Sequence, residues 1–536
     1  MWKEFRCQTF TDYHNVYLRS DVTLLADVFE TFRSSCMDTY GLDACHYMSL
    51  PGFSFDAALK YTNVELDLMS DPDMYLFMEN SIRGGVCMIS HRFAKANHEL
   101  LTNFKVDEKL QHLIYLDCNN LYGGSLSQYL PTGNFTWAAN DRFPVETIDD
   151  WLLPIPPTSS KGYIFKVDIE YPHHLHVEHN CYPLAPEKLT VVPDMLSPFV
   201  KEHFPDYDAS VEKLVPNLMD KKNYTVHYQN LQLYVSLGLK VTKIHRVLEF
   251  DQSPWLKPYI ELNTEKRKVA KTDFEKDFFK LCINSMFGKT MENVRHRISV
   301  EMVLDDSKFK KKVAKPTFKR GQIIRDDLFA VQQQVATVNL NKPIYCGFAV
   351  LELSKRMMYD FHYNHMKVRY PGDKLQLLFT DTDSLAYAVE TKNIYDDMAE
   401  DQQLYDFSNY PKNHPLYSTV NKKVIGKFKD ELGGAIMKEF VGLRPKCYSI
   451  EFDRNEKKAV AGVKQSVQKR MLHHADFKTT LNSLVPVLIT QNNIVSKKHV
   501  INTVNQTKIG LNALDTKRYI LEDGVSTVAY GHYKTL

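Results

Sequence analysis

The sequence predicts an α+β protein with an antiparallel sheet, and three features lead to this fold class. An apolar run at 375–379 leads into Asp381 and Asp383, and an apolar-alternating run at 385–389 follows, which is typical of a β-hairpin. Residues 113–117 have the composition of a short buried strand. Other long segments show the apolar spacing of helices, and no internal repeat is present.

The hairpin carries two carboxylates at its tip. Asp381 and Asp383 stand at i and i+2 of an extended segment, so they point to one face. Carboxylates held together repel each other at neutral pH, and such a pair indicates a bound cation. The alternative is a turn rich in Asp and Thr whose acids are only solvated. Asp117, at the end of the strand 113–117, supplies the third acid that the cation hypothesis requires.

Composition sets broad limits on the protein. A length of 536 residues predicts several subdomains, and 44% hydrophobic with 25% charged residues is ordinary for a globular protein. The formal net charge of +2 neither requires nor excludes a polyanionic partner, so local patches decide. Basic residues are concentrated at 308–325 and 454–470.

Cysteine usage and hydropathy indicate the compartment. The 9 cysteines are scattered and form no CxxC pair, which predicts free thiols in a reducing compartment rather than disulfides or a cysteine zinc site. No apolar run has the length of a membrane span, and the first residues do not have the pattern of a signal peptide. We therefore expect an intracellular protein with no membrane partner.

Two N-terminal segments have candidate functional residues. Residues 12–33 predict a helix capped by Asp12, with Tyr17 and Asp21 at i and i+4 on one face; by themselves these two are ordinary surface residues. Further on, Arg83 precedes Gly84 and Gly85. Paired glycines let a backbone approach a ligand closely and an arginine suits a phosphate, although a simple turn explains the pattern equally well.

The region 131–251 differs in amino-acid composition from the rest of the chain and is interpreted as an inserted subdomain. It is rich in proline and aromatic residues and contains a histidine-rich loop at 171–181. Its metal-ligating residue types follow no standard zinc spacing, which argues against a metal site there. They are His173, His174, His176, His179 and Cys181.

A basic helix is predicted over 257–288, ending at Gly288. Lys280, Asn284 and Phe287 share one face, with Lys276 one turn earlier and Arg267 and Lys268 in the preceding turns. Cations of this kind bind phosphates, and an aromatic ring beside a glycine offers a flat surface to a base pair. A solvated basic helix is the alternative.

In the C-terminal third of the chain, the spacing of Lys446 and Tyr448 predicts that they share one face of a strand. That arrangement suits contact with a phosphate and a sugar, although alternating Lys and Tyr on exposed strands is common.

Taken in order, these motifs resemble those of family B DNA polymerases, particularly the protein-primed group of viruses, linear plasmids and Maverick/Polinton transposons. Residues 117–122 (DCNNLY) resemble motif A, D-x-x-S-L-Y-P, and residues 280–288 resemble motif B, K-x-x-x-N-S-x-Y-G. Residues 381–384 (DTDS) match motif C, and residues 446–448 resemble K-x-Y. The long interval between motifs A and B and the basic stretch 299–330 resemble the two insertions of the protein-primed group.

The sequence departs from these motifs at several positions. Asn120 replaces the usual Ser of motif A, and Gly123 replaces the usual Pro. Phe287 replaces the Tyr of motif B, which keeps the ring and loses the hydroxyl. Residues 82–85 resemble the Y-x-G-G loop without its Tyr.

The resemblance implies a right-hand architecture of palm, fingers and thumb. It assigns 1–80 to a remnant of a 3′–5′ exonuclease domain and linker, and 81–130 and 341–453 to the palm. The remaining ranges are an insertion at 131–250 that resembles a terminal-protein region, fingers at 251–298, a second basic insertion at 299–340, and a thumb and tail at 454–536.

The same resemblance implies template-directed transfer of dNTPs to a primer 3′-hydroxyl or a protein hydroxyl. Asp117 and Asp383, with the backbone carbonyl of Cys118, are expected to hold two Mg²⁺ ions, with Asp381 as a supporting acid and Mn²⁺ as a substitute metal. The expected dNTP-binding residues are Lys280, Lys276, Lys268, Arg267, Asn284, Phe287, Gly288 and Tyr122. The expected DNA-binding residues are Lys446, Tyr448, Arg83, Gly84 and Gly85.

The N-terminal helix has a further interpretation in this light. Tyr17 and Asp21 resemble the third exonuclease motif, while the two motifs that precede it in the family are not in the sequence. One carboxylate does not hold a two-metal nuclease site, so we expect no proofreading, with Met1 an internal start in a longer coding region. Partners are expected to be template and primer DNA, dNTPs and a terminal protein primer, and the compartment the nucleus if the source is an integrated eukaryotic element.

Two other classes compete with an active polymerase. The first is an inactive, DNA-binding remnant of a mobile element, which the missing exonuclease motifs favour. The second is another metal-dependent nucleic-acid enzyme. The lysine-bearing helix disfavours a nuclease, and DTDS in place of a Y-x-D-D turn disfavours a reverse transcriptase.

Overall fold

The structure, a computed structural model, describes residues 2–209, 211–497 and 500–535; Met1, interpreted above as an internal start, lies outside them. The α-helices, in chain order, are α1 Phe10–Tyr40, α2 Leu50–Thr62, α3 Pro72–Ser81, α4 Leu121–Leu126, α5 Ile148–Leu152, α6 His176–His179, α7 Pro198–His203, α8 Tyr228–Ser236, α9 Lys257–Val269, α10 Asp273–Thr290, α11 Asp306–Val313, α12 Ile344–Asp360, α13 Lys367–Arg369, α14 Ile394–Glu400, α15 Gln465–Met471 and α16 His474–Ser483.

The strands range from two-residue pairs to long hairpin arms. They are β1 Cys87–Ile89, β2 Phe93–Lys95, β3 His112–Cys118, β4 Leu130–Ala138, β5 Lys161–Glu170, β6 Glu187–Thr190, β7 Glu212–Val215, β8 Lys221–His227, β9 Lys240–Ser253, β10 Ser299–Val303, β11 Phe318–Arg325, β12 Leu328–Gln333, β13 Leu375–Asp381, β14 Ser384–Val389, β15 Phe428–Asp430, β16 Met437–Arg444, β17 Cys447–Phe452, β18 Asn455–Val460, β19 Val487–Lys497, β20 Val500–Leu511, β21 Tyr519–Ile520 and β22 Thr527–Val528.

The chain divides into two compact units. The first unit contains residues 2–79, 126–133 and 253–347. The second unit contains residues 80–125 and 134–252 and the described residues from 348 onward. The helix predicted for the basic segment lies in the first unit, and the predicted hairpin lies in the second.

A nine-stranded sheet organises the second unit. Its main path is β1-β13-β14-β3-β16-β17-β18, with β15 beside β3 and β2 beside β16, and these pairs are antiparallel. The α+β class and the antiparallel sheet are thus confirmed. Alternate residues of β3 enter different cores: Ile114 and Leu116 pack on one face, and Leu113 and Tyr115 on the other. Both faces are covered, which explains the nearly continuous apolar run of β14.

The region from β4 to β9 forms a second sheet, and all of β5 and β8 lies in the second unit. Its strand order is β4-β9-β5-β8. Phe165, Val167 and Tyr224 of this region belong to the same hydrophobic cluster as Ile114 and Leu116 of the nine-stranded sheet. The segment predicted as an inserted subdomain therefore shares its core with the sheet that carries the acids.

In the first unit, the basic segment forms two helices rather than the single helix predicted. Thr272 caps α10: its hydroxyl accepts from the Glu275 N–H at 3.1 Å, and the Glu275 carboxylate accepts from the Thr272 N–H. This capping box starts a new helix after α9. The predicted end at Gly288 is also wrong, because α10 continues to Thr290.

Helix α1 is longer than predicted and starts differently. Thr9 is its N-cap and Asp12 is the third helical residue of the capping box, which corrects the assignment of Asp12 as the cap. The helix ends at Gly41, whose φ of 64° closes the last turn. The apolar stripe that predicted it is largely exposed in the first unit, with Leu24 63% and Leu25 68% accessible.

The basic stretch after α10 has a small fold of its own. Strands β10, β12 and β11 form a three-stranded sheet, and α11 covers it. Val303, Phe329 and Val331 form its buried core, with Phe309 and Phe318 against them. The lysines of this stretch are thus displayed on an ordered scaffold.

A long helix precedes the β13–β14 hairpin. It begins as α12 at Ile344, continues through a wide turn at Phe361–Met366, and ends as α13. Among the described residues, no helix combines the length and apolar character that a membrane span requires.

Candidate active site

The tip of the β13–β14 hairpin positions two of the three predicted acids. Asp381 is the last residue of β13, and the Asp383 N–H donates to the Asp381 carbonyl at 2.8 Å. Between them Thr382 adopts a φ of 67°, and its N–H donates to the Val86 carbonyl at 2.8 Å. The turn is therefore held from the neighbouring segment as well as by its own strands.

The third acid lies on the strand next to this hairpin. Asp117 of β3 is the cross-strand partner of Ser384, and the Cys118 N–H donates to the Asp383 carbonyl at 2.8 Å. The Asp383 charge helps to raise the pKa of Asp117, which shows that the two carboxylates lie near each other. The structure thus brings together the acids that the sequence placed more than 260 positions apart.

Burial makes these carboxylates unusual acids. It raises the pKa of Asp117 to about 6, even though the Lys429 ammonium acts in the opposite direction. Burial also raises the pKa of Asp383. Partly buried carboxylates that lie together bind a divalent cation well, because a metal supplies the missing positive charge. The oxygen donors of this site therefore fit Mg²⁺ or Mn²⁺.

Two lysines contact the acids directly. The Lys446 ammonium lies 2.6 Å from Asp381 Oδ1, and the Lys429 ammonium lies 3.2 Å from Asp117 Oδ1. The sequence motifs include Lys446 and do not include Lys429. The alternation of Lys429 and Glu431 around a buried Asp430 is the only local signal for Lys429, and it does not reveal which strand lies opposite.

The predicted strand geometry of the Lys446 motif is wrong. Lys446 lies in the turn between β16 and β17 with a φ of 61°, so it does not share a strand face with Tyr448. Tyr448 is buried, stacks on Phe379 with ring centroids 4.3 Å apart, and bonds to the Tyr115 hydroxyl at 3.2 Å. Tyr448 therefore supports the strand that leads to Asp381, and its DNA-binding role stays a prediction.

Arg83 does not have the exposure that a phosphate-binding role requires. Its side chain is buried, its guanidinium donates to the Thr225 carbonyl at 2.8 Å, and it stacks 3.9 Å from the Tyr224 ring centroid. Glu352 lies 3.9 Å from it. The guanidinium is therefore held in the core, and DNA binding by Arg83 stays a prediction.

The paired glycines have different environments. A Cβ on Gly85 would lie 2.5 Å from Thr382 Cγ2, whereas a Cβ on Gly84 would meet nothing within 4 Å. Gly85 is therefore required by the close approach of the hairpin tip, and this contact accounts for it without DNA.

The departures from motif A compensate each other. Asn120 adopts a φ of 51°, a conformation that Asn tolerates, and its side-chain oxygen accepts from the Gly123 N–H at 3.3 Å. A Cβ on residue 123 would lie 2.2 Å from the Asn120 side chain. Asn120 and Gly123 thus form one turn that starts α4, and Tyr122 of this helix is partly buried, with a pKa raised by burial and by Asp383.

The predicted triphosphate-binding face lies on α10 of the first unit. Lys280, Asn284 and Gly288 are exposed along the helix. Lys276 forms an ion pair with Asp273 at 3.0 Å, and on α9 Lys268 forms one with Glu265 at 2.7 Å. These are intrahelical pairs of exposed side chains, which exchange easily for a phosphate. Arg267 and Phe287 are partly buried on the same two helices.

Tyr17 and Asp21 lie one turn apart on α1, and both are exposed.

The histidine-rich loop has a structural explanation. His179 bonds to the Tyr171 hydroxyl at 2.9 Å, and His176 bonds to the Tyr171 carbonyl and accepts from the Tyr533 N–H. Among the described residues, the group with ligand atoms close enough for a further metal is Glu439, Glu451 and His474, and Lys478 already forms an ion pair with Glu439.

The fold is that of a known class of polymerase. Over 94% of this chain, the structure is similar to Phi29 DNA polymerase complexed with primer-template DNA and incoming nucleotide substrates, with a TM-score of 0.56, 14% identity and 73% of that chain covered. A binary complex of Phi29 DNA polymerase with primer-template DNA gives a TM-score of 0.53 at 14% identity, over 94% of this chain and 72% of that one.

The family follows from the sequence match. The chain belongs to the DNA polymerases of type B, organellar and viral, whose family model matches residues 7–367. This range is more than half of the 536 residues and contains Asp117 and the whole of α10. A search of curated protein sequences finds no significant match.

Proposed function

We propose that this chain is an active template-directed DNA polymerase that extends a primer 3′-hydroxyl or a protein hydroxyl with dNTPs. The observation that carries the proposal is the junction of β3 with the β13–β14 hairpin. There Asp117 and Asp383, which are far apart in sequence, lie together with raised pKa values in a chain of the type B polymerase family. Partly buried acids with raised pKa values are typical of functional sites.

Asp117 and Asp383 are the proposed metal ligands, with the Cys118 carbonyl beside them and Asp381 as a supporting acid. Bound Mg²⁺ ions would activate the attacking hydroxyl and neutralise charge on the triphosphate. The ion pair between Lys446 and Asp381 holds the outer acid in place and leaves an ammonium at the edge of the site, where it suits the phosphate of a primer end.

The triphosphate would be bound by the cations of α9 and α10, chiefly Lys280 and Lys276, with Arg267 and Lys268 as further cations. Asn284, Phe287 and Gly288 would support the new base pair. Tyr122 is the proposed steric gate against a ribose 2′-hydroxyl. It lies on the short helix α4, which follows the strand that carries Asp117.

We further propose the domain assignment given by the motifs: palm at 81–130 and 341–453, fingers at 251–298 and thumb at 454–536, with insertions at 131–250 and 299–340 and an exonuclease remnant at 1–80. The two Phi29 DNA polymerase structures are complexes with primer-template DNA. On this similarity we propose that this chain also binds a template and a primer. Protein priming and replication of a virus, plasmid or transposon are proposed on the same motifs.

Primer extension tests the function. The purified chain, given primer-template DNA, dNTPs and Mg²⁺, is expected to extend the primer. Asp117→Asn and Asp383→Asn are expected to lower the rate by several orders of magnitude while DNA binding persists. Asp373→Asn makes the same charge change at an exposed palm position and serves as the matched control.

Three results would overturn the proposal. No extension by the wild-type chain, with DNA binding intact, would identify an inactive DNA-binding remnant. Extension that persists in Asp117→Asn would show that the acids have been assigned wrongly. Use of an RNA template in preference to DNA would indicate a reverse transcriptase.

A further inference from the structure

Lys429 stands directly opposite a proposed metal ligand. Strand β15 pairs antiparallel with β3, and in this register Lys429 is the cross-strand partner of Asp117. Its ammonium lies 3.2 Å from Asp117 Oδ1. On the other side of β3, Ser384 faces the same residue. Asp117 is thus flanked by the motif C strand on one side and by a lysine on the other.

The position of Lys429 is set by a chain of charges. Glu431, two residues further on the same face, accepts from the Lys429 ammonium at 2.9 Å through Oε1 and from the Lys457 ammonium at 2.7 Å through Oε2. Lys457 in turn lies 4.7 Å from the Tyr115 ring centroid. The four groups alternate in sign from Lys457 to Asp117, which favours one arrangement of all of them.

The backbone beneath Lys429 is fixed independently. Asp430 points to the opposite side of the strand, where it is buried and accepts from the N–H groups of Leu432 at 2.9 Å and Gly434 at 2.8 Å. These bonds hold the turn that follows β15. The side chains of Lys429 and Glu431 therefore leave from an anchored segment, and their pairing does not depend on a loose loop.

The ammonium competes with a metal ion for the same carboxylate. A lysine within hydrogen-bond distance of Asp117 uses a lone pair that a divalent ion would need, and its charge repels that ion. Lys429 also has a second partner within reach, because Glu431 already binds it. Transfer of the ammonium wholly to Glu431 would free Asp117 without leaving a buried charge unpaired.

We propose that Lys429 is a positioning residue that holds the Asp117 carboxylate when the site is free of metal and yields it to a divalent ion. Glu431 then retains the ammonium. The lysine thereby sets the metal concentration at which the site fills. This inference rests on the proposed role of Asp117 as a metal ligand.

Metal binding to the full chain without DNA or nucleotide tests the inference. Free Mn²⁺ is measured by electron paramagnetic resonance at pH 8. Binding at the proposed site is the difference between the Mn²⁺ bound by the wild-type chain and that bound by Asp117→Asn. Lys429→Met is expected to tighten this binding by about threefold to fivefold, the range in which a partly exposed ion pair contributes. Glu431→Gln is expected to weaken it, because the ammonium then stays on Asp117.

The two expected shifts have opposite signs, which a merely structural role does not produce: damage to the fold would weaken binding in both variants. Lys427→Met is the matched control, because it removes the same charge two residues earlier, where the ammonium bonds to the Gln403 carbonyl at 2.7 Å. It is expected to leave Mn²⁺ binding unchanged. A circular dichroism melt verifies that each variant is folded.

Unchanged or weaker Mn²⁺ binding in Lys429→Met would overturn the inference and leave the polymerase proposal intact, provided that Asp117→Asn still removes the site. Equal Mn²⁺ binding by the wild-type chain and Asp117→Asn would instead overturn the metal assignment itself, and the role of Lys429 with it.

Discussion

Single residues at the hairpin tip show how closely the acids are packed. Thr382 has a left-handed backbone, and its side chain faces Gly85 at a distance that leaves no room for a methyl group. Asp381 and Asp383 flank it, so a shift of Thr382 moves a proposed ligand. Space at residue 85 is therefore as important to the site as the acids themselves.

Gly85→Ala is expected to destabilise the protein by about 1–3 kcal/mol, because the added Cβ would collide with the stiff, β-branched Thr382. Polymerase activity is expected to fall more than tenfold, as the tip is displaced. Gly84→Ala, where a Cβ meets open space, is the control for stability and is expected to leave the melting temperature unchanged. Equal melting temperatures for the two variants would contradict this account.

The raised pKa of Asp117 predicts that the free energy of unfolding of the metal-free protein depends on pH. Between roughly pH 4 and pH 6 the folded state binds more protons than the unfolded state, so stability falls as pH rises through this window. Asp117→Asn is expected to be more stable than the wild type at pH 7.5 in EDTA, by at most about 3 kcal/mol. Thermal melts from pH 3.5 to pH 8 would measure the difference, which is expected to vanish at the acid end.

At the scale of elements, periodicity predicted helices well and burial poorly. The apolar stripe of α1 correctly indicated a helix, yet Leu24 and Leu25 are exposed in the first unit, while Phe32 packs edge-on against Phe278 with centroids 5.1 Å apart. On α10, a capping box divided a segment whose composition is helical throughout. A local pattern determines that a helix forms, and neighbours determine which side chains it buries.

Leu25→Ala on α1 is therefore expected to change the free energy of unfolding by less than about 0.5 kcal/mol, because little apolar surface is lost. Leu130→Ala, at a fully buried position of the same unit, is the matched comparison and is expected to cost about 2–5 kcal/mol. Urea denaturation of both variants measures the difference, and a comparable loss in Leu25→Ala would show that α1 is packed.

For the molecule as a whole, net charge is a poor guide to nucleic-acid binding. A formal charge of +2 over 536 residues gives no general attraction to DNA, so affinity must come from local patches. The small sheet that follows α10 carries one such patch, with Lys308, Lys311 and Lys315 exposed on and after α11. Other lysines of this helix pair with acids, as Lys310 does with Asp306.

Replacing Lys308, Lys311 and Lys315 together by Ala is expected to weaken DNA binding and to reduce the slope of log affinity against log salt by about 2–3, since each phosphate contact contributes about 0.9. Fluorescence anisotropy of a labelled primer-template duplex at several salt concentrations measures this slope.

The matched control for that experiment is a triple variant of Lys222, Lys240 and Lys243, exposed lysines of the β5-containing sheet. It lowers the net charge equally and is expected to leave the slope nearly unchanged. An equal reduction in both variants would attribute DNA binding to net charge and contradict the local patch.

The sequence by itself determined the features that depend on short-range order: the hairpin and its acids, the strand that ends at Asp117, the helix that presents Lys280 and the motif order that indicates the family. Only the tertiary structure decided which of these groups meet. The pairing of Lys429 with Asp117, the burial of Arg83 and Tyr448, and the exposure of α1 all depend on residues far away in the chain. Burial and ion pairing are properties of the neighbours that folding supplies, and a local pattern does not contain them.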